Sequence, residues 1–188
     1  RRTSRHADHR QGARRFVAES MTLGYGYRDF GARAVTEEQP FAPPGRTRDI
    51  EHHLAALRSM EQQLRDATRE GWIEGIALRY GLFYGAAPFV AHLIAMLRKR
   101  RVPLIAGGHS AASWIYLEDA AAATVAALVN GKAGEAYNIV DDEPVSWRDF
   151  LGTLARTVGA PEPWSLPGWL MRLVAPYATT FMLDTNLR

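Results

Sequence analysis

Short apolar runs that suit β-strands alternate along this chain with longer segments of helical periodicity. Strands are predicted at residues 15–20, 76–79, 102–106, 113–117 and 136–140. Helices are predicted at residues 49–67, 89–100, 118–129, 146–159 and 166–175. Because strands that alternate with helices form parallel sheets, the pattern predicts an α/β fold with a parallel sheet.

Composition narrows the class of protein further. The chain has 188 residues, enough for one domain with a real core, and its 47% hydrophobic content predicts a globular protein. It has no cysteine, which excludes disulfides and thiolate metal sites. No apolar stretch is long enough to cross a bilayer, and the arginine-rich start lacks the apolar core of a secretory signal. We therefore expect a cytoplasmic protein without a membrane partner and without a metal site.

The formal net charge of +3 is modest, and arginines in two clusters supply much of the positive charge. One cluster lies within residues 1–15 and the other at residues 98–101. The second cluster follows a predicted helix, where cations favour the helix dipole. A basic nucleic-acid-associated domain is an alternative, but no helix-turn-helix, zinc-finger or RNA-binding signature supports a nucleic-acid partner.

An apolar run that ends at Arg79 leads into an aromatic turn between Gly81 and Gly85. Open α/β sheets bind ligands just beyond the carboxyl ends of their strands. The turn is therefore either the wall of a small-molecule site or an ordinary loop after a core strand. The pattern alone favours the ordinary loop.

Several segments, in this order, resemble the NAD-dependent epimerase/dehydratase family of extended or atypical short-chain dehydrogenase/reductases. They are residues 15–20 (RFVAES), 79–85 (RYGLFYG), 114–120 (WIYLEDA), 136–146 (AYNIVDDEPVS) and 166–170 (LPGWL). The resemblance implies a partial Rossmann-like parallel sheet with a smaller C-terminal α/β subdomain on the substrate side. It also implies NAD or NADP as cofactor, and hydride transfer on a sugar-like or other small hydroxyl or carbonyl substrate.

The chain departs from the family in its nucleotide-binding part. The family uses a Gly-x-x-Gly-x-x-Gly turn after its first strand, and this chain has none. We expect residues 1–13 to be a disordered or broken arm and residues 14–188 to be the C-terminal part of a truncated domain. Such a chain would bind a dinucleotide weakly or not at all and would be inactive alone. Its incomplete sheet would expose an edge strand, which makes a homodimer possible.

The family's catalytic Tyr-x-x-x-Lys pair is also missing. If Glu61 aligns with the acidic residue that often follows the pair, His53 takes the tyrosine position and Leu57 the lysine position. A histidine with an ordinary pKa of about 6.5 can exchange a proton near neutral pH, so His53 is a candidate acid or base. The alternative is a histidine on the helix surface. A non-catalytic dinucleotide- or ligand-binding regulatory protein of the same fold is therefore a second interpretation.

The resemblance implies roles for residues that follow the strands. Ser20 and Thr22 lie where the family places hydroxyls that bind a substrate oxygen, although Ser20 equally suits a strand end. The predicted catalytic residues are Ser20, Thr22 and His53. Those expected beside the cofactor are Tyr80 and Gly81, and those expected beside the substrate are Tyr25, Phe83, Tyr84 and Trp114. For Tyr25 and Trp114 a place in the core is the favoured alternative, and Arg79 is expected to anchor loops by ion pairing.

Overall fold

The computed structural model describes residues 12–44 and 48–187. The strands are β1 (Arg15–Met21), β2 (Glu74–Tyr80), β3 (Leu82–Tyr84), β4 (Leu104–Ile105), β5 (Ala111–Ala112), β6 (Trp114–Tyr116), β7 (Ala136–Ile139), β8 (Val145–Ser146) and β9 (Ser165–Leu166). The α-helices are α1 (Arg48–Arg69), α2 (Pro88–Arg98), α3 (Leu117–Asn130), α4 (Trp147–Thr157), α5 (Gly168–Val174) and α6 (Pro176–Thr179). A 3-10 turn covers Thr22–Tyr25, and a π-helical turn covers Thr180–Asp184.

The main sheet is parallel and has the strand order β1-β2-β7. Its register pairs Ser20 with Arg79 and Arg79 with Asn138, so the carboxyl ends of the strands meet at one edge. Two further parallel pairs, β3 with β6 and β4 with β9, and the antiparallel pair of β5 with β8 follow toward the C-terminus. The predicted α/β class, with a parallel sheet and a smaller C-terminal part, is confirmed.

Strand β2 is the centre of this sheet, and its side chains are buried on both faces. Ala77 packs with Leu64 of α1 on one face, whereas Leu78 packs with Ala120 and Ala127 of α3 on the other. Continuous burial of this kind is typical of a parallel strand covered by helices on both sides. Since successive side chains alternate between the faces, the side chain of Arg79 lies on the α1 face and that of Tyr80 on the α3 face.

The C-terminal part has its own core, in which α2 and α4 pack around β6. Its largest side chains are Trp114 and Trp147, with ring centroids 5.0 Å apart. Helix α4 begins as predicted, because the backbone N–H of Asp149 donates to the Oγ of the cap residue Ser146 at 3.1 Å. The last described residues return to the first loop through a bridge between Asp29 and Asn186.

Some predicted boundaries are wrong. The predicted strand 102–106 is reduced to β4, and the predicted helix 166–175 begins only at Gly168. Here β4 pairs with β9, because the N–H of Ala106 donates to the carbonyl oxygen of Leu166 at 2.8 Å. The predicted arm at residues 1–13 lies almost wholly outside the described residues. Among the described helices, none is both long and apolar enough to cross a membrane.

Candidate functional site

A buried ion pair lies beneath the carboxyl ends of β1 and β2. Arg79 donates from Nε to Oε1 of Glu61 at 2.9 Å and from Nη2 to Oε2 at 2.8 Å. The side chains of Arg79 and Glu61 are only 7% and 2% exposed. Ser20, which neighbours Arg79 in the sheet, donates from Oγ to Oε1 of Glu61 at 2.7 Å. The predicted catalytic hydroxyl of Ser20 is therefore held by Glu61.

The protonation state of Glu61 follows from these contacts. Burial alone would raise the pKa of Glu61, but hydrogen bonds from Arg79 and Ser20 and the charges of Arg79 and Arg65 outweigh it. The pKa of Glu61 is thus held below its ordinary value, and the carboxylate is ionised at neutral pH. Helix α1 supplies Glu61 and β2 supplies Arg79, so the pair joins a helix to the sheet.

Arg79 also connects the pair to the loops, as expected. Its Nη1 donates to the hydroxyl of Tyr25 at 2.7 Å, and Tyr25 donates to Oδ1 of Asn138 at 2.8 Å. The guanidinium lies 4.3 Å from the ring centroid of Phe41. Burial raises the pKa of Tyr25 even though Arg79 opposes that shift. Tyr25, predicted to contact a substrate, is thus a buried member of this network.

A small apolar cavity lies at the carboxyl ends of β1 and β2, with a water-sized space of about 10 Å³. Its lining residues are Met21, Thr22, Leu23, Tyr80, Gly81, Leu82, Ala111, Ala112, Ser113, Trp147, Phe181, Thr185 and Leu187. Three predicted site residues thus come together here, namely Thr22, Tyr80 and Gly81. Ser20 and His53 are not among the lining residues.

The polar groups of these three residues are engaged in the structure. Thr22 donates from Oγ1 to the carbonyl oxygen of Tyr80 at 3.3 Å. The hydroxyl of Tyr80 bonds the hydroxyl of Thr124 at 2.6 Å, and burial raises its pKa. A Cβ on Gly81 would lie 2.6 Å from the carbonyl oxygen of Ser113, so the close packing of the turn between β2 and β3 against Ser113 requires glycine. Phe83 packs on Tyr80, with ring centroids 5.2 Å apart.

The C-terminal segment closes one side of the cavity. The N–H of Leu187 donates to the carbonyl oxygen of Ala111 at 3.1 Å, and Oγ of Ser113 donates to the carbonyl oxygen of Leu187 at 3.2 Å. Phe181 packs edge-on against Trp147, with ring centroids 5.4 Å apart. Sequence reasoning missed both aromatic residues. The available signal was Trp147 itself, a large apolar residue directly after the helix cap Ser146.

A wider groove brings together Tyr84 and Trp114, two of the predicted substrate residues. It has a volume of about 350 Å³, and Asp141, Val145, Asp149, Phe150, Thr153, Leu154 and Thr157 complete its lining. Trp114 stacks on Phe150 with ring centroids 3.7 Å apart. Burial, together with Asp141, raises the pKa of Tyr84 to about 12. The groove therefore offers aromatic faces and two carboxylates, but no cationic side chain.

His53 lies on α1 apart from both cavities. Its ring meets that of Tyr27 edge-on, with centroids 6.2 Å apart. Burial lowers the pKa of His53, so its imidazole is neutral at pH 7. Its Nε2 is buried and has no hydrogen-bond partner among residues 12–44 and 48–187. In the same described part of the chain, no group of three or more histidine or acidic side chains is placed to hold a metal ion.

Comparison with known proteins agrees with this architecture. Residues 6–140 match the NAD dependent epimerase/dehydratase family. A 3-diazoavenalumate denitrifying reductase from Streptomyces sp is 30% identical over 177 residues, covering 93% of this chain and 56% of the relative. A 2-alkyl-3-oxoalkanoate reductase from Stenotrophomonas maltophilia (strain K279a) is 30% identical over 120 residues, covering 60% of this chain and 36% of the relative. The chain thus spans about half, or less, of the length of these curated relatives.

A solved structure shows the same fold. The dTDP-glucose 4,6-dehydratase from Bacillus anthracis str. Ames, in complex with NAD, superposes with a TM-score of 0.67 at 19% identity. The match covers 81% of this chain and 49% of that structure.

Proposed function

The chain belongs to the NAD dependent epimerase/dehydratase family, and on this premise we propose that it forms the substrate-side part of an NAD(P)-dependent oxidoreductase. Its substrate would be a small molecule with a reacting hydroxyl or carbonyl carbon. The observation that carries the proposal is the cavity that Thr22, Tyr80 and Gly81 line at the carboxyl ends of two parallel strands. The name of one relative, 2-alkyl-3-oxoalkanoate reductase, also supports chemistry at a carbonyl group.

The residues around the cavity offer no partner for the phosphates of a dinucleotide. Its lining contains no lysine or arginine to pair with phosphates, and the sequence has no glycine-rich turn of the family type. In the alignment through Glu61, Leu57 takes the position of the family's lysine, and it has no group that could bind a ribose hydroxyl. When bound, NAD(P) supplies hydride transfer. We assign Tyr80 and Gly81 to the nicotinamide end and assign no described residue to the phosphates.

The chain's own residues would act on the substrate oxygen. The hydroxyl of Thr22 can turn from the carbonyl oxygen of Tyr80 toward a ligand in the cavity, because hydroxyl hydrogens rotate freely. Ser20 would act indirectly, since its bond to Glu61 fixes the end of β1. His53 lines neither cavity, so a role as base for alcohol oxidation would require the substrate to extend to α1; the neutral imidazole and the Nε2 without a partner among the described residues are what support that role.

Saturation-transfer NMR with NADH and NADPH would test this proposal. We expect stronger transfer to the nicotinamide protons than to the adenine protons, because Tyr80 and Gly81 are assigned to the nicotinamide end and no described residue is assigned to the phosphates. In parallel, with the chain fused behind a nucleotide-binding half of the family, absorbance at 340 nm should show NAD(P)H consumption that depends on an added ketone. Stronger transfer to adenine would contradict the assignment of Tyr80 and Gly81. No consumption with any ketone would contradict the oxidoreductase proposal.

A second candidate function is ligand binding without turnover. It is favoured by Leu57, because a leucine can neither lower the pKa of a neighbouring acid nor hold a ribose. Binding of a dinucleotide or ketone without consumption of NAD(P)H would support it. Salt-sensitive binding of short DNA, with no binding of either small molecule, would instead support a nucleic-acid-associated protein.

A further inference from the structure

Trp147 has a buried hydrogen-bond donor that the fold does not use. The residue is 2% exposed, and its Nε1 has no acceptor within the described part of the chain. Two other tryptophans differ in this respect, because Trp114 donates to the carbonyl oxygen of Val145 and Trp164 donates to that of Arg100. Leaving a buried N–H unpaired lowers stability, so native proteins rarely keep one without a functional reason.

Trp147 lines the apolar cavity at the ends of β1 and β2. The hydroxyls in the lining are already donating, Thr22 to Tyr80, Ser113 to Leu187 and Thr185 to Thr180. The other lining side chains are apolar, apart from Tyr80, whose hydroxyl is bonded to Thr124 on the α3 face. The indole N–H is therefore the one side-chain donor of this lining that the described residues leave without an acceptor.

We propose that the indole N–H of Trp147 binds the carbonyl or hydroxyl oxygen of the substrate, and that this oxygen is flanked by apolar carbon groups. This inference rests on the proposed oxidoreductase function and specifies its substrate class. A space of about 10 Å³ accommodates an oxygen atom, the size of one water. The body of the substrate needs more room, so Phe181 or Leu187 must move outward when it binds.

The same lining disfavours a nucleoside-diphosphate sugar. A diphosphate needs cationic or multiple N–H partners, and none of the lining residues carries a positive charge. The neighbouring aromatic groove adds Asp141 and Asp149, which repel phosphates. An apolar ketone, or the corresponding secondary alcohol, has no phosphate, so it needs no cationic partner and is not repelled by the two carboxylates.

The indole N–H signals of the ¹⁵N-labelled chain provide a direct test by NMR. The Trp147→Phe variant lacks the indole signal of Trp147 and so identifies it. The probes are acetophenone, UDP-glucose and ethylbenzene, which has nearly the shape of acetophenone but lacks its oxygen. We expect acetophenone to shift the Trp147 signal downfield, while ethylbenzene and UDP-glucose do not. Equal shifts with acetophenone and ethylbenzene, or no shift with either, would overturn the proposal. If the variant does not fold, sequential assignment of the unmodified chain identifies the signal.

Affinity gives a second readout. Trp147→Phe should weaken acetophenone binding about three- to tenfold, the effect of one neutral hydrogen bond, and leave ethylbenzene binding unchanged. Trp164→Phe is the matched control, because it removes an indole N–H that lies outside the cavity. An equal loss for both probes would show that Trp147 contributes only shape, and the proposal would fall.

The two proposals fail in different ways. If acetophenone shifts the Trp147 signal but no ketone supports NAD(P)H consumption, the oxygen-binding role stands and the oxidoreductase function falls. If consumption occurs and Trp147→Phe leaves both kcat and KM unchanged, the oxidoreductase function stands and the role of Trp147 falls.

Discussion

Glu61→Gln is the substitution that most directly tests the buried ion pair. It removes the negative charge between Arg79 and Ser20 and leaves the guanidinium 7% exposed. The remaining partners of Arg79 are the hydroxyl of Tyr25 at 2.7 Å and the carbonyl oxygen of Glu37 at 3.3 Å, neither of which is charged. Breaking a buried pair by removing one partner typically costs about 3–5 kcal/mol, and we expect this loss in the free energy of unfolding.

Urea denaturation followed by tryptophan fluorescence or circular dichroism measures that free energy. Arg65→Gln is the control, since Arg65 also contacts Glu61, at 3.2 Å, but its side chain is 48% exposed. Exposed pairs contribute about 0–1 kcal/mol, so the control should change the stability little. The double variant Glu61→Leu with Arg79→Met should recover most of the loss, because it leaves no unpaired buried charge.

The pH dependence of stability is a further consequence of the same pair. Because the pKa of Glu61 is lower in the folded state than its ordinary value of 4.5, its contribution is present above that value and lost as the pH falls toward the folded pKa. Glu61→Gln should lack this acid-dependent loss. A Glu61→Gln variant as stable as Arg65→Gln, with the same acid sensitivity as the unmodified chain, would refute the reasoning.

Other expected outcomes follow from single groups. Absorbance near 295 nm should show Tyr84 ionising at about pH 12, a signal that Tyr84→Phe removes. The contribution of Tyr84 to the free energy of unfolding should decline as the pH rises above about 10, the pKa of tyrosine in the unfolded chain. The NMR titration of His53 should have its midpoint below 6.5, so its contribution to stability should weaken as the pH falls below that value. A midpoint above 6.5 would contradict burial as the main influence on its pKa. Gly81→Ala should cost about 1–3 kcal/mol through its clash with Ser113. Gly12→Ala, with open space around its Cβ position, should cost less than about 0.5 kcal/mol.

The main sheet was predictable because its strands carry strong local signals. Strand β2 is a continuous apolar run, and the alternation of strands with helices predicts its parallel neighbours. The cap at Ser146 was predictable for a similar reason, since Ser146 and Asp149 have the spacing of a capping box. The two-residue strands β4, β5, β8 and β9 are too short to have a period, and they form through tertiary pairing.

The site was less accessible to sequence reasoning. The resemblance to the family pointed to Thr22, Tyr80 and Gly81, which follow or end strands, and the structure brings them together. It could not show that Ser20 is bonded to Glu61, because that contact joins residues 41 positions apart. The unpaired N–H of Trp147 was equally hidden, since hydrogen-bond satisfaction depends on neighbours that only the folded chain supplies.

The return of the last residues to the first loop also determines when the cavity can form. Asn186 bonds Asp29 across 157 positions of sequence, and at about 5–20 residues per second the ribosome needs roughly 8–30 s to make the stretch between them. Within that interval Phe181 follows Trp147 by 34 positions and Leu187 follows Ala111 by 76, so at the same rate Trp147 lacks its cover for roughly 2–7 s and β5 for roughly 4–15 s. The nascent chain therefore presents apolar surface for several seconds, and chaperones would have their greatest effect during that period.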